Sequence, residues 1–438
     1  MKKLLSVLIC SLGLFSFVGC YDAILQGIRE EVELEDAQIS GFINNITRFN
    51  AKNESGIDTE YLYLQNGLVY YKTASNEDAT HGKWHKDGKT PNPVKYNYYL
   101  ENGSSGFSGT FFYKSAADGK YIYILGFEPE QDDDSGLNVS GTIKLYCSEG
   151  PGKEWKEVAE INKKIEEYVF SLKSSTYSTY YLEDINICLL GTNDAKVENR
   201  EAYIRIGGGS GKTGGDTTIS SNLWTDKFEF YKLDGAETSA ASCMASSEAE
   251  NSLGITKDTM SAVYFNGKTY FFDRLGTGKT LDSSGGDSHL IKCEGTTLYC
   301  SKDGTFTDVK ITKDGKEQIY SLSTSADKSI ISIAVTKNSI LLGTNGKGTV
   351  RVLLDSEGKP KENGSTSSDS GYSSNMSTIM TNPYIVRTLF CVDSTKNEAD
   401  TVMYSSLQFI YPETTAGASY DNIGLWSYYP SRGNWNRE

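Results

Sequence analysis

The chain has 438 residues, with 43 Lys or Arg against 57 Asp or Glu, and its net charge is −14. This acidic balance argues against nucleic acid as a partner and against electrostatic docking on anionic lipid. The length exceeds what one small core needs, so we expect several domains or one large repeat array, with no cofactor indicated by any motif.

The first twenty residues predict export and lipid attachment. Lys2 and Lys3 precede an apolar run from Leu4 to Val18, roughly fifteen residues, which is short of the ~20 that span a bilayer as a helix. The run ends at Phe17-Val18-Gly19-Cys20, which resembles a bacterial lipobox of the relaxed, spirochaete type. The resemblance implies a lipoprotein signal peptide over residues 1–19 and acylation of Cys20, for example with palmitate, as the membrane anchor. An ordinary secretory signal with a chance cysteine is the alternative.

The segment after the cysteine is predicted to be a lipidated tether over residues 20–40. Its apolar residues fall near helical spacing among acids, which is typical of a short amphipathic segment. The residue after Cys20 is Tyr21 rather than Asp, so the lipoprotein resemblance favours the outer membrane or the cell surface. Residues 41–438 are then the folded part, and they contain no second apolar run of transmembrane length.

Short β-type runs fill that folded part, and several of them recur. Aromatic and β-branched residues alternate between Gly-rich turns, and both Asp118-Gly119 and Asn266-Gly267 predict hairpins. Gly141–Gly150 matches Gly295–Gly304, and weaker copies begin at Leu68, Phe228, Val350 and Leu425. A second element, Ile187–Thr192, matches Ile340–Thr344. Upstream of these two, Tyr168–Leu172 aligns with the predicted strand at Tyr320. This alignment favours a strand over a helix for the second half of Lys153–Leu172.

The repeats predict an all-β fold, a β-propeller of six blades with seven as the alternative count. One glycine marks each predicted blade: Gly82, Gly150, Gly235, Gly304, Gly358 and Gly433. Radial closure of such sheets removes long unpaired strand edges. A β-sandwich of unrelated hairpins is the competing interpretation.

Turns near these glycines resemble the Asp-box of sialidase-like propellers in degenerate form. Ser148-Glu-Gly-Pro-Gly-Lys-Glu-Trp155 keeps the Ser, the Gly and the Trp, whereas Gly82-Lys-Trp84 and Gly433-Asn-Trp435 keep only the Gly and the Trp. The resemblance implies turns whose polar side chains bind turn amides and whose aromatic side chains lie between blades. It implies no activity.

Cysteines and acids provide weak candidates for a cross-link or a metal site. The six cysteines after Cys20 are Cys147, Cys188, Cys243, Cys293, Cys300 and Cys391. An even number fits disulfides, but Cys147 and Cys300 occupy equivalent positions of different repeats, so we predict buried free thiols. Asp132, Asp133 and Asp134 could ligate calcium, although a solvated acidic loop explains them as well, and no metal site is predicted.

No catalytic set is assembled in the sequence. Gly207–Thr213 and Gly276–Thr280 resemble phosphate loops but lack the required Gly spacing, so both are predicted to be surface loops. The resemblance to sialidase-like propellers also raises a glycan hydrolase, and by that resemblance it implies arginines that converge in one pocket. The candidates are Arg200, Arg205, Arg274, Arg351 and Arg387.

The sequence therefore predicts a lipid-anchored binding or adhesion module of the cell envelope. Its ligand would be a protein or a glycan, recognised through long loops on the propeller face. Two alternatives remain open: a sialidase-like glycan hydrolase and a periplasmic assembly scaffold.

Overall fold

A computed structural model of the chain describes residues 39, 43–74, 83–94, 109–129, 141–173, 185–194, 196–208, 228–257, 259–265, 268–275, 291–294, 297–302, 305–308, 310–313, 316–319, 330–344, 348–354, 384–409 and 423–438. These residues form strands with few helices, so the predicted all-β class is confirmed. Cys20 and the Asp132–Asp134 candidates lie outside this part of the chain.

The strands form six successive sheets. Sheet 1 contains β1 (Ile46–Lys52), β2 (Asp58–Gln65), β3 (Val69–Thr73) and β4 (His85–Lys86), and sheet 2 contains β5 (Phe111–Ala117), β6 (Ile122–Pro129), β7 (Gly141–Ser148) and β8 (Lys156–Glu157). Sheet 3 contains β9 (Ile187–Gly191), β10 (Ala202–Gly207), β11 (Phe228–Lys232) and β12 (Cys243–Met244).

The second half of the chain continues the series. Sheet 4 contains β13 (Thr259–Phe265), β14 (Lys268–Leu275), β15 (Ile291–Glu294), β16 (Thr297–Lys302) and β17 (Thr305–Asp308), followed by a hairpin of β18 (Lys310–Lys313) and β19 (Lys316–Ile319). Sheet 5 contains β20 (Ile330–Val335), β21 (Ser339–Thr344) and β22 (Thr349–Leu353), and sheet 6 contains β23 (Tyr384–Cys391), β24 (Met403–Phe409), β25 (Gly424–Tyr428) and β26 (Trp435–Arg437). Neighbouring strands are antiparallel except β14 and β15, which are parallel.

The first strands of the sheets share a local irregularity. In sheets 2, 4, 5 and 6 the pairing of the first strand with the second shifts by one residue, at Tyr113, Met260, Ile331 and Arg387 respectively. Such an extra residue increases the local twist and turns the side chains that follow. In each of these four first strands the bulge therefore redirects the residues that follow it.

One long helix, α1 (Ala159–Lys173), lies between sheets 2 and 3. Ile161, Ile165 and Val169 recur at a spacing of four and are all buried in the core formed by these two sheets. The predicted strand at Tyr168–Leu172 is therefore wrong, because its apolar residues have helical rather than alternating spacing. Shorter helical turns occur at Val197–Asn199, Ala240–Ser242, Ser246–Glu248, Ala249–Leu253 and Glu398–Asp400.

The described helices offer no candidate for a membrane span: none is both long enough and apolar enough.

Several repeat predictions can be placed on this order. The copies at Leu68, Gly141, Phe228, Val350 and Leu425 coincide with third strands, and Gly150, Gly235 and Gly433 follow those strands with positive φ angles. The second predicted match is wrong, because Ile187–Gly191 is a first strand whereas Ser339–Thr344 is a second strand. Both predicted hairpins are confirmed: Asp118 accepts the amides of its turn, and Phe265 pairs with Lys268.

Three tryptophans pack between successive sheets, each at the start of a fourth strand. Trp155 of sheet 2 contacts the core of sheet 1, Trp84 of sheet 1 contacts sheet 6, and Trp435 of sheet 6 contacts sheet 5. Trp155 Nε1 donates to Asp87 Oδ2 at 3.0 Å, and Trp84 Nε1 donates to Glu438 Oε2 at 2.9 Å. Each accepting carboxylate comes three residues after the tryptophan of its own sheet, so the same contact links two pairs of sheets.

The beginning and the end of the described chain meet in sheet 6. The Ile39 N–H donates to the Glu438 carbonyl at 3.1 Å, and the Ile39 carbonyl accepts from the Leu425 N–H at 3.1 Å. Ile39 is buried in the same core as Trp84. Ile39 lies within the segment that sequence analysis predicts as the tether, and it packs against the folded part.

Candidate binding cavity

A cavity of about 320 Å³ lies where the first strands of all six sheets come together. Each of these strands contacts the next in the order β1, β5, β9, β13, β20 and β23, and β23 in turn contacts β1. The lining comes from segments spread along the whole chain: 44–48, 113–116, 185–193, 261–262, 331–335 and 387–394. Its volume lies near the lower end of the ~300–1,000 Å³ typical of small-ligand sites.

Polar side chains join neighbouring first strands around this cavity. The Asn45 amide donates to the Ser115 carbonyl at 2.6 Å and accepts the Ser115 N–H at 3.1 Å, so it pairs with β5 as a strand would. Thr388 Oγ1 donates to the Ile43 carbonyl at 2.6 Å, which joins sheet 6 to sheet 1. These bonds satisfy main-chain groups that have no neighbouring strand on that side, and they hold the cavity wall in place.

The wall has two chemically different sides. The polar side, formed by β23, β1 and β5, contains every charged lining residue, namely Arg387, Arg48 and Lys114. The apolar side, formed by β9, β13 and β20, is mainly aliphatic. Its lining includes Ile187, Leu189, Ala262, Ile333 and Val335, with Asn193, Ser261 and Ser332 as polar exceptions.

Arg48 belongs to an ion cluster that extends behind the wall. Glu60 accepts from Arg48 Nη2 at 2.6 Å and from Arg200 Nη2 at 2.7 Å, one carboxylate oxygen for each guanidinium. Burial alone would raise the pKa of Glu60, but the hydrogen bonds and charges of the two arginines outweigh it and hold the pKa below its usual value. Glu60 is therefore an ionised carboxylate shared by two cations.

No described lining residue is an Asp, a Glu or a His. In the same part of the chain, no group of three metal-ligating side chains could hold an ion. The cavity wall, as far as it is described, therefore supplies cations, amides, hydroxyls and aliphatic surface, and neither a pair of carboxylates nor a metal site.

The arginines of the hydrolase alternative have separate partners. Arg200 binds Glu60, Arg351 Nε donates to Glu398 at 2.7 Å, and Arg205 donates to the main-chain carbonyl of Thr259 at 3.2 Å. Among the candidate arginines whose side chains are described, only Arg387 lines the cavity. The Arg274 side chain lies outside the described part.

Cys147, Cys188, Cys243 and Cys391 are free thiols. Cys147 and Cys188 are buried, as predicted, whereas Cys243 is exposed, so the prediction of burial is wrong for that residue. Burial raises the pKa of Cys147 to about 11 and that of Cys391, which lines the cavity, to about 12. Both are thiols rather than thiolates at neutral pH and are weak nucleophiles.

Sequence analysis did not single out the lining residues Asn45, Arg48 and Lys114. Asn45 directly precedes β1, Arg48 belongs to β1 and Lys114 belongs to β5. The sequence does not show which strand of a sheet comes first, and no local pattern distinguishes these residues from polar residues of other strands.

Comparisons with known proteins leave the family open. No protein-family model matches the chain, and no curated protein matches it. A mutant of the Aleuria aurantia lectin in complex with Fucalpha1-6GlcNAc aligns at 10% identity over 92% of this chain and 96% of its own, with a TM-score of 0.34. A GH43_1 enzyme from Xanthomonas citri aligns at 8% identity over 89% and 96%, with a TM-score of 0.31. A glycosyl hydrolase from Bacteroides ovatus aligns at 9% identity over 90% and 86%, with a TM-score of 0.28.

Proposed function

We propose that the chain is a six-bladed β-propeller, attached to a bacterial cell envelope through lipid on Cys20, that binds a glycan in its central cavity. The six sheets are the blades in this proposal. The contact of β23 with β1 and the bonds of Ile39 to sheet 6 support a closed ring. A seventh blade would have only the two-stranded sheet of β18 and β19 as its counterpart among the described strands.

The cavity carries the binding part of the proposal. A sugar offers hydroxyl groups on its edges and C–H groups on its faces, and the cavity presents cationic and other polar side chains on one side and aliphatic side chains on the other. A volume of about 320 Å³ suits a terminal sugar. A folded protein partner would need a surface of about 800 Å² instead.

A sialidase-like hydrolase would need several arginines in one pocket, and of the named candidates only Arg387 lines the described wall. Most other glycoside hydrolases need two carboxylates beside the scissile bond, and the described wall contains none, so binding is the function that this geometry supports best. The periplasmic scaffold alternative places the same fold on the inner side of the outer membrane. The location of the protein in the cell therefore distinguishes this alternative from the proposal.

Blocking the cavity tests the binding proposal. Ser394 lines the cavity on the loop after β23 and is half-buried, whereas Lys396 on the same loop is exposed and outside the lining. We expect Ser394→Trp to abolish saturable binding of the intact protein on a glycan array, and Lys396→Trp to leave that binding unchanged. Equal binding by both variants and the unsubstituted protein would place the ligand elsewhere.

Removing the acylated cysteine tests the anchor. We expect Cys20→Ser to abolish incorporation of a clickable fatty acid and to release the protein from membranes, because stable attachment requires more than one acyl chain. Protease added to intact cells should cleave the unsubstituted protein if it lies on the cell surface. Protection until the outer membrane is opened would favour the scaffold alternative.

A further inference from the structure

The charge of the cavity wall is opposite to that of the whole chain. The protein has a net charge of −14, yet its described lining includes the cations Arg48, Lys114 and Arg387 and no acid. An acidic surface repels anions from most of the molecule, whereas a cleft lined with cations between low-dielectric walls concentrates them. This distribution of charge therefore favours the binding of an anion in the cavity over its binding elsewhere on the surface.

The carboxylate that pairs with Arg48 does not neutralise the cluster it belongs to. Glu60 is shared between Arg48 and Arg200, so this cluster keeps an excess positive charge. Arg48 Nε and Arg200 Nη1 are buried and have no hydrogen-bond partner among the described residues. Buried guanidinium groups without full pairing are costly, and a bound anion beside Arg48 would offset part of that cost.

The position of the cations fixes how an anion would lie. All three lining cations belong to the polar side. An anionic group would therefore face β23, β1 and β5, and the remainder of the ligand would face the aliphatic side formed by β9, β13 and β20. A small inorganic ion would leave the aliphatic side without a contact.

We propose that the cavity selects an acidic saccharide, whose carboxylate is bound by the polar side through Arg387 and Lys114 near Arg48, and whose C–H face packs on the aliphatic side. This inference rests on the proposed glycan-binding function and names the class of glycan. The residues proposed to bind the carboxylate lie far apart in the sequence and form no sequence motif.

Matched sugars test the inference. Calorimetric titration of the intact protein would use three pairs of monosaccharides that differ only at C6, namely glucuronate with glucose, galacturonate with galactose and mannuronate with mannose. We expect at least one acid to bind about tenfold or more tightly than its neutral partner, because a charge-assisted hydrogen bond contributes about 1.5–3 kcal/mol. The preference should shrink as salt is added.

Charge-removing variants test the assigned residues. Arg387→Gln and Lys114→Gln should each lower affinity for the acid about tenfold while affinity for the neutral sugar changes little. Lys163→Gln, which removes a lysine from the exposed face of α1, is the matched control and should change neither affinity. Thermal unfolding of each variant would show that it remains folded.

The outcomes separate this inference from the proposed function. Equal affinities for an acid and its neutral partner would overturn the acidic class and leave glycan binding intact. Binding of neither member of any pair would overturn both. Inorganic phosphate or acetate that binds as tightly as the acids would overturn the saccharide part, because the aliphatic side would then add nothing.

Discussion

Glu60 links two sheets through charge, and its ionisation should be visible in the stability of the protein. Its pKa lies below the unfolded value of about 4.3 because Arg48 and Arg200 stabilise the carboxylate. Its contribution is therefore complete above that unfolded value and is lost as the pH falls through the folded pKa.

We expect Glu60→Gln to lower the free energy of unfolding by about 3 kcal/mol at pH 7, since it leaves two guanidinium groups without their anion. The difference from the unsubstituted protein should shrink below about pH 4.3. Urea unfolding at several pH values measures both effects. Glu157→Gln, at an exposed pair with Lys144, is the control and should be nearly neutral at every pH. A pH-independent difference would contradict the assigned pKa direction.

Gly343 shows how closely two first strands approach a second strand. A Cβ atom at this position would lie 2.0 Å from Ser332 Oγ and 2.5 Å from the Val386 carbonyl oxygen. We expect Gly343→Ala to destabilise the protein by about 1–3 kcal/mol, the usual cost of overpacking. Gly88→Ala is the matched control, because Gly88 has open space around it and no positive φ angle. Similar melting temperatures for the two variants would contradict the close approach.

At the scale of elements, helix α1 is fixed to β7 by one amide side chain. Asn162 accepts the Leu145 N–H at 2.7 Å and donates to the Leu145 carbonyl at 3.2 Å. We expect Asn162→Asp to cost about 1–3 kcal/mol, because the donor is replaced by an oxygen that faces a carbonyl. Hydrogen exchange in α1 should accelerate, whereas Lys163→Ala on the exposed face should leave it unchanged. Exchange that accelerates equally in every sheet would indicate global rather than local loosening.

Outside sheet 4, third strands could be predicted from the sequence because a local signal marks them; in sheet 4 the copy Gly295–Gly304 overlaps β16, which is the fourth strand. Each contains a short alternating run, and in sheets 2, 3 and 6 a glycine with positive φ ends it, as at Gly150 and Gly433. First and second strands have no such mark. Ile187–Gly191 and Ser339–Thr344 are both short apolar runs that end in small residues, and only their hydrogen-bond partners distinguish a first strand from a second.

The cavity could not be predicted for a related reason. Its wall combines short pieces of six first strands, and the pairing of Asn45 with Ser115 joins positions that are 70 residues apart. Local patterns carry no information about such distant neighbours. The helical spacing of Ile161, Ile165 and Val169 is present in the sequence. The apparent repeat at Tyr168–Leu172 overlaps this spacing and predicts a strand instead.

At the scale of the whole molecule, a buried ion pair joins the first sheet to the last. Lys72 is fully buried, pairs with Glu438 Oε2 at 2.8 Å and lies 5.1 Å from the ring centre of Trp84. We expect Lys72→Met to cost about 3–5 kcal/mol, because a buried carboxylate loses its cation. The double variant with Glu438→Gln should recover part of that loss, which denaturation of the four proteins in a double-mutant cycle would measure. No recovery would mean that the two charges are not coupled.

The bonds of Ile39 to sheet 6 have a consequence for connectivity. Because the first and last described residues lie side by side, a short linker could join them, and new termini could be opened in an exposed turn without removing any sheet contact. The turn at residues 53–57 is suitable, since Ile57 is 62% exposed there. Such a circular permutant should fold to the same structure, and a segment attached at the new start would then leave the fold on a different side of the cavity.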